Sequence, residues 1–398
     1  MRRKRTEKRR VCFVTGTRAE FGLMRSTLDA IRRHPRLRLQ LVCTGMHLDP
    51  AHGRTVDTIR ADGWPVDAEV PWGNEHSPLG SANGSPTHNA RSTGTAMAAL
   101  AATYDALGSD VVLVVGDRVE AFAAAAAAHV AHVPVAHVHG GDRALGQVDD
   151  SLRHAISKLA HVHFPATQQS ALRLKRLGED PGRVRRVGSP GVDSIKSVAA
   201  PWGAIEKEYA GLRPGRYALL VLHPTGPRAP EEARRARMVL SAVRVVGFDH
   251  VVVVYPNNDP GAAGIIGHWD EISDGARAGD SITFRRDVPR RLFLGLLREA
   301  AVLVGNSSSG IIEAASFGTP VVDIGPRQAG RERSANVTNV PFRPAAIREA
   351  LQSVWNSGRP RRCRAANVYG GDGAGRRIAD ALARLSLNDR LRRKLIAY

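Results

Sequence analysis

Short runs of aliphatic and β-branched residues recur along the chain. Each is followed by a stretch in which apolar positions return every three or four residues. In the first half the runs predict strands near Val11–Thr15, Leu39–Thr44, Val111–Val115, Val133–His137 and Val162–Pro165. The stretches between them predict helices at Glu20–Arg33, Thr93–Leu107, Val119–Ala131 and Ser151–His161. Segment Trp72–Thr87 is rich in Gly, Ser, Asn and Pro and reads as a long loop. The second half repeats the scheme, with strands at Ala218–Leu222, His250–Tyr255, Ile282–Phe284, Val302–Val304 and Val321–Ile324. Its helices are expected at Pro230–Val246, Pro289–Ala300 and Gly310–Phe317. Strand and helix alternating in this way are the mark of βαβ units and a mostly parallel sheet.

The pattern breaks near Ser189–Pro214, where prolines and small residues cluster. The expectation is an α/β protein of two doubly wound, Rossmann-like domains with a central cleft. The first spans residues 11–195 and is joined by a C-terminal helix at 376–398. The second spans 196–375, and residues 1–10 form a basic tail. With 398 residues the chain is long enough for two such cores. Ligands of doubly wound sheets sit beyond the C-terminal ends of the strands, so chemistry is sought in the loops that follow strands.

Composition narrows the class. Hydrophobic content of 43% with 24% charged residues is that of a globular protein. The net charge of +19 suggests an anionic partner, although much of the excess sits at Met1–Arg10, Arg359–Arg364 and Arg390–Lys394, where solvent alone can accommodate it. Cys12, Cys43 and Cys363 have neither metal-ligand nor redox spacing, and the first two fall in apolar strand patterns. The apolar run Val11–Val14 is too short for a signal peptide, and Ala121–Ala128 is too short to span a bilayer. A cytoplasmic protein with no membrane partner is expected.

One stretch carries the most chemistry: Val302-Leu-Val-Gly-Asn-Ser-Ser-Ser-Gly-Ile-Ile-Glu313. A buried strand runs into a Ser-rich turn and then a helix. The hydroxyls of Ser307, Ser308 and Ser309 and the backbone near Gly310 can therefore face an anion such as a diphosphate. Glu313 is placed to accept from ribose hydroxyls. A plain serine cap explains the same letters. After the first strand comes Gly16-Thr-Arg18, whose arginine can reach a phosphate or simply start a helix. After the third comes Gly116-Asp117-Arg118, an acid at a frequent active-site position that also reads as a helix cap.

His137-Val-His139-Gly-Gly-Asp142 follows the next strand. In an extended segment the two histidines share a face, so a metal site with Asp142 is one reading. His139 as a general acid or base is another, and a structural histidine a third. Asp149-Asp150 opens a helix, where carboxylates complement the dipole, and beside Asp117 one of them would titrate high enough to shuttle a proton. In the second half, His223-Pro224, Tyr255-Pro-Asn257-Asn-Asp-Pro260 and Gly330-Arg331-Glu-Arg333 follow strands.

Taken in order, these motifs are those of a known family. Val14-Thr-Gly-Thr-Arg-Ala-Glu20, Thr44-Gly-Met-His-Leu48, Gly116-Asp-Arg118, His139-Gly-Gly-Asp142, Asp149-Asp-Ser-Leu-Arg-His-Ala-Ile-Ser-Lys158, Tyr255 to Gly261, Gly305 to Glu313 and Arg327-Gln-Ala-Gly-Arg-Glu-Arg333 resemble the UDP-N-acetylglucosamine 2-epimerases, in particular the hydrolysing branch of sialic and legionaminic acid biosynthesis. The match runs from about residue 11 to residue 340. It implies a glycosyltransferase-B type fold. It also implies UDP-sugar binding by Arg18, Arg118, His223, Asn257, Ser307, Ser308, Ser309, Gly310, Glu313 and Arg331.

The same resemblance implies catalysis by Asp117, His139 and Asp149 with Arg18 and His223, no metal and no cofactor, and a homodimer or homotetramer. The reaction implied is anti elimination of UDP to a 2-acetamidoglucal, then hydration to N-acetylmannosamine or a close 2-acetamido sugar. Some members carry Glu where this chain has His139, so the C2 base stays open among Asp117, His139 and Asp149. A non-hydrolysing epimerase and a UDP-sugar transferase of the same fold are the alternatives. A nucleic-acid binder, suggested by charge alone, lacks stacking aromatics at 5% and any recognised module.

Overall fold

The computed structural model describes residues 7–50, 53–72, 86–143, 149–256, 261–275, 280–355 and 362–397, with backbone alone for 86–89 and 149. The chain divides into two compact units, 1–193 with 369–398, and 194–368.

The first unit holds strands β1 (Arg9–Thr15), β2 (Leu37–Thr44), β3 (Ala68–Val70), β4 (Val111–Val115), β5 (Val135–Val138) and β6 (Val162–Phe164). They form one parallel sheet in the order β3-β2-β1-β4-β5-β6. Helices fill both faces, so successive residues of a strand enter opposite cores. Val11 and Phe13 of β1 pack into one apolar cluster with Val111, Leu113 and Val115 of β4. Cys12 and Val14 pack into the other with Val112 and Val114. Burial on both faces is why these strands read as unbroken apolar runs.

The chain returns to this unit at its end. Helix Ala374–Arg384 lies against helix Arg18–Arg33, where Gly375 meets the backbone of Ser26 with no room for a Cβ. Both carboxylate oxygens of Asp193 accept from its opening N–H groups, of Ala374 (2.9 Å) and Gly375 (2.7 Å). An acid at that position also complements the helix dipole.

The second unit holds β7 (Tyr217–Val221), β8 (His250–Val254), β9 (Ile282–Arg285), β10 (Val302–Gly305), β11 (Val321–Ile324) and β12 (Val337–Val340). Their order is β12-β11-β10-β7-β8-β9, again all parallel. Ala218, Leu220, Val302 and Val304 fill one core and Tyr217, Leu219, Val221 and Leu303 the other. In strand sequence both sheets have the dinucleotide-fold order 3-2-1-4-5-6.

The expected strands are all present, most with ends shifted by a residue or two. Edge strands β3 and β12 were not foreseen. Ala-Glu-Val and Val-Thr-Asn-Val offer no aliphatic run, since an edge is only partly covered. One helix differs in kind. In place of a helix over Gly310–Phe317, the chain makes a five-residue α-helix, Ser308–Ile312, then a 3-10 turn, Ala314–Phe317, closed by Gly318 at φ +69°. Of the loop expected at Trp72–Thr87, residues 73–85 lie outside the described residues, and helix Pro86–Leu107 takes the last two.

Gly305 is where the second sheet tolerates least change. Its φ is +128°, and a Cβ there would run into the carbonyl oxygen of Val221 on β7. Gly305→Ala is expected to destabilise this unit by about 2–4 kcal/mol, through backbone strain and a clash with backbone that cannot move aside. Urea unfolding of variant and wild type checks the loss.

Candidate active site

In each sheet one pair of neighbouring strands sends its chain in opposite directions: β1 with β4, and β7 with β10. Loops leaving such a pair splay apart, and the gap outside the strand ends is where doubly wound sheets bind ligands. Gly16-Thr17-Arg18 and Gly116-Asp117-Arg118 leave the first pair. Leu222-His223 and Asn306-Ser307-Ser308 leave the second. The topology thus gathers most of the expected site residues at two places, one in each unit.

In the first unit, Thr17 caps helix Arg18–Arg33 and Glu20 returns the bond, completing a capping box. One Glu20 oxygen accepts from the N–H groups of Gly16 (2.8 Å) and Thr17 (3.1 Å). Arg18 is thereby left at the exposed first position of the helix. A second buried acid, Glu120, packs on Gly16, where a Cβ would lie 2.7 Å from its Cγ. Arg118 grips both Glu120 oxygens at 3.2 Å. Arg118, expected to meet the substrate, directs two guanidinium nitrogens to Glu120 while its side chain stays 45% exposed. Burial, then the neighbouring Glu120, push the Glu20 carboxyl up to about 7.

Asp117 is fixed by Arg153, which is 3% exposed. The same guanidinium donates to the carbonyl of His139 (3.0 Å). His139 lies past the end of β5 with φ +61°. It therefore does not share a strand face with His137, contrary to the extended reading. Its ring is buried, with Nδ1 2.7 Å from Asp142 Oδ2 and Nε2 2.9 Å from Ser189 Oγ. Burial opposes ionisation of Asp142, but His139 and Arg153 outweigh it and hold that carboxyl well below the usual range. His137 turns elsewhere, to the Gly116 carbonyl (2.8 Å) and Ser157 (3.2 Å). Burial lowers it to about 3, so it is neutral and props the turn before Asp117. The histidine pair therefore does not converge, and among the described residues no three His, Cys, Asp or Glu side chains could hold a metal ion. The side chain of Asp149, at the start of helix Asp149–Leu159, lies outside the described residues.

In the second unit, His223 is buried and its backbone is held from both sides by the Asn306 carboxamide. Ser307 caps the short helix by accepting from Ser309 N–H, and the Ser307 and Ser309 hydroxyls are 2.6 Å apart. Gly310 lets that turn press onto Leu303 and Val321. With one α-helical turn behind it, this helix has only a small dipole, and hydroxyl and backbone donors are left as the main contribution to holding an anion. Glu313 pairs with Arg290 at 2.7 Å. Arg331 follows β11 with its Nε buried and without a hydrogen-bond partner among the described residues. An orphaned guanidinium donor there suits an anionic ligand. Asn257 lies outside the described residues.

Sequence reasoning missed Glu20, Glu120, Arg153, Asn306 and Gln328 as working residues. Glu20, Arg153, Asn306 and Gln328 stood inside the quoted motifs, but nothing in spacing says that a side chain holds another loop rather than a ligand.

Comparison with known proteins bears on this arrangement. The family model described as UDP-N-acetylglucosamine 2-epimerase matches residues 29–383. The chain belongs to that family. Its relatives include the hydrolysing UDP-N,N'-diacetylbacillosamine 2-epimerase of Legionella pneumophila, 34% identical over 98% of this chain and 100% of that one. UDP-N-acetylglucosamine 2-epimerase of Neisseria meningitidis is 33% identical over 88% of this chain and 89% of its own. Among solved structures, that of the Neisseria meningitidis UDP-GlcNAc 2-epimerase bound to UDP-GlcNAc superposes with a TM-score of 0.79 at 18% identity. It covers 94% of this chain and 100% of that one. Family membership thus joins the twofold Rossmann-like fold to a set of side chains expected for epimerase chemistry. Among the described residues no helix is long and apolar enough to cross a membrane.

Buried Glu20 makes the stability of the first unit depend on pH. Glu20 titrates near 4.5 in the unfolded chain and near 7 when folded, so the folded state binds the proton more tightly. Its contribution is complete below 4.5 and is lost as pH rises to 7, a change of about 3 kcal/mol. Glu20→Gln should flatten this slope, as measured by urea unfolding at intervals from pH 4.5 to 8.

Proposed function

We propose that this chain is a hydrolysing UDP-sugar 2-epimerase, acting on UDP-N-acetylglucosamine or a closely related 2-acetamido sugar nucleotide. The observation that carries the reading is the Asp117 carboxylate, placed at the first switch point and held there by buried Arg153. A carboxylate fixed in that way can move a proton without rearranging first. The relatives named as hydrolysing diacetylbacillosamine 2-epimerases support the branch and leave a 2,4-diacetamido sugar as a candidate substrate.

In the proposed reaction the C2–H and C1–O bonds of the sugar break on opposite faces. A C1=C2 double bond forms, UDP leaves with the C1–O electron pair, and a base takes the C2 proton. Water then adds its oxygen to C1, and a proton returns to C2 from the other face. The product is free 2-acetamido sugar, inverted at C2. No electron is gained or lost overall. Among the three acids and bases first considered, Asp117 is favoured for the C2 proton, since its side chain is 20% exposed whereas the His139 ring is buried with both nitrogens engaged. Asp149 is assigned the second proton transfer. Arg18, His223, Ser307, Ser308, Glu313 and Arg331 hold the UDP portion. His139 then serves to brace Asp142 and the turn whose carbonyl Arg153 binds.

All three cysteines are free, in keeping with a reducing cytoplasmic setting. A homodimer or homotetramer is part of the proposal and is read by light scattering.

Two variants separate chemistry from binding. Asp117→Asn retains an oxygen for Arg153 but loses the base, so turnover should fall at least about 10³-fold with UDP affinity nearly unchanged. Wild-type rates in that variant would remove Asp117 from the mechanism. Arg331→Ala should weaken UDP binding by about 10- to 100-fold, read by calorimetry, through loss of a charge-assisted hydrogen bond. Unchanged affinity would place the phosphate clamp elsewhere.

A further inference from the structure

Strands β7 and β10 pair in register from Ala218↔Val302 to Val221↔Gly305. The last backbone bond between them is Asn306 N–H to the Val221 carbonyl, at 3.1 Å. Beyond it the strands part, and the backbone of His223 has no ladder to join. The Asn306 side chain takes the ladder's place. Its Oδ1 accepts from His223 N–H at 2.7 Å and its Nδ2 donates to the His223 carbonyl at 2.9 Å. Asn306 is 1% exposed. A carboxamide offers a donor and an acceptor side by side at every pH, matched to the N–H and C=O of one residue. Ionised aspartate lacks the donor, and glutamine adds a methylene that moves both groups.

Asn306 is itself held from a third loop. Its carbonyl accepts from Gln328 Nε2 at 2.8 Å and from Arg327 at 3.3 Å. The Gln328 carbonyl accepts from Arg333 at 3.2 Å, and Arg333 reaches Asp323 at the same distance. An unbroken chain of hydrogen bonds therefore runs from the loop after β11 to that after β10 and on to that after β7. Each of these loops carries a residue assigned to UDP: Arg331, Ser307 and His223.

We propose that Asn306 is the positioning residue that sets His223 and the Ser307 turn in register for the UDP portion, with Gln328 as its support. This rests on the UDP-sugar reading and adds residues that touch the loops rather than the ligand. The inference has a signature that simple structural damage lacks. In Asn306→Asp, a protonated carboxyl can still accept from His223 N–H and donate to its carbonyl. An ionised one turns a negative oxygen on that carbonyl. Among the described residues, the charged groups bonded to this position are Arg327 beside it and, through Gln328, the Arg333–Asp323 pair; the His223 ring is a further titratable group next to it and is common to wild type and variants.

The test measures UDP affinity by calorimetry from pH 6 to 8.5 for wild type, Asn306→Asp and Asn306→Ala, with circular dichroism as a check on folding. The expectation is that Asn306→Asp, relative to wild type at the same pH, binds within about threefold at pH 6 and loses at least a further tenfold by pH 8.5. Asn306→Ala should be weak throughout, with no such slope. If Asn306→Ala does not fold, the Asn306→Asp slope alone decides. A folded Asn306→Asp whose affinity tracks wild type at every pH would overturn the inference. Wild type that fails to bind UDP at all would instead overturn the functional reading beneath it.

Discussion

Everything in the proposed site depends on the parting of two parallel strands. Where β1 leaves β4 and β7 leaves β10, backbone groups that were paired within the sheet lose their partners. An unmet peptide group is costly once buried, so side chains must step in. In the second unit the Asn306 carboxamide does so for His223. In the first, Glu20 accepts from Gly16 and Thr17, and His137 meets the Gly116 carbonyl. The groups that replace the ladder also fix the loops, and the loops carry the residues proposed to act on the substrate.

The two units solve this with different chemistry. The second uses mostly neutral amides and hydroxyls, with arginines placed behind them. That suits a phosphate-bearing ligand, which brings its own negative charge. The first uses ionisable groups, most of them buried, with Glu20 and Glu120 under the first loop and Arg153, His139 and Asp142 around the partly exposed Asp117. Charges held in a poorly solvated place interact strongly, and they keep their geometry only while each has a partner. Arg153, bonded both to Asp117 and to the His139 carbonyl, joins the acid proposed for C2 to the strained turn at His139.

Much of the fold was legible in the sequence because strands buried on both faces must be apolar throughout. Val111–Val115 was readable to the residue for that reason, and Val321–Ile324 was too, although it carries the buried Asp323. Edge strands Ala68–Val70 and Val337–Val340 were not, because one side of an edge needs no apolar residue. The short helix at Ser308–Ile312 was read as a longer one because Gly310 to Phe317 has helical spacing, yet the α-helix stops at Ile312 and the rest tightens into a 3-10 turn that left-handed Gly318 closes. At the site, loops were found by their place after strands, but roles within them were not. Arg118 was expected to bind the substrate and His139 to act as acid or base, and only the geometry shows that Arg118 also holds Glu120 and that His139 is held by Asp142 and Ser189. Which neighbour a side chain meets depends on residues dozens of positions away, and spacing along the chain does not encode that.

The most direct test of the account is NMR of the purified protein turning over UDP-N-acetylglucosamine in D2O, with the diacetamido sugar nucleotide run in parallel. The account predicts free UDP together with a free 2-acetamido sugar inverted at C2 and carrying deuterium there, from one of the two substrates. Accumulation of an inverted sugar still attached to UDP, or release of a sugar that keeps its C2 proton, would contradict it.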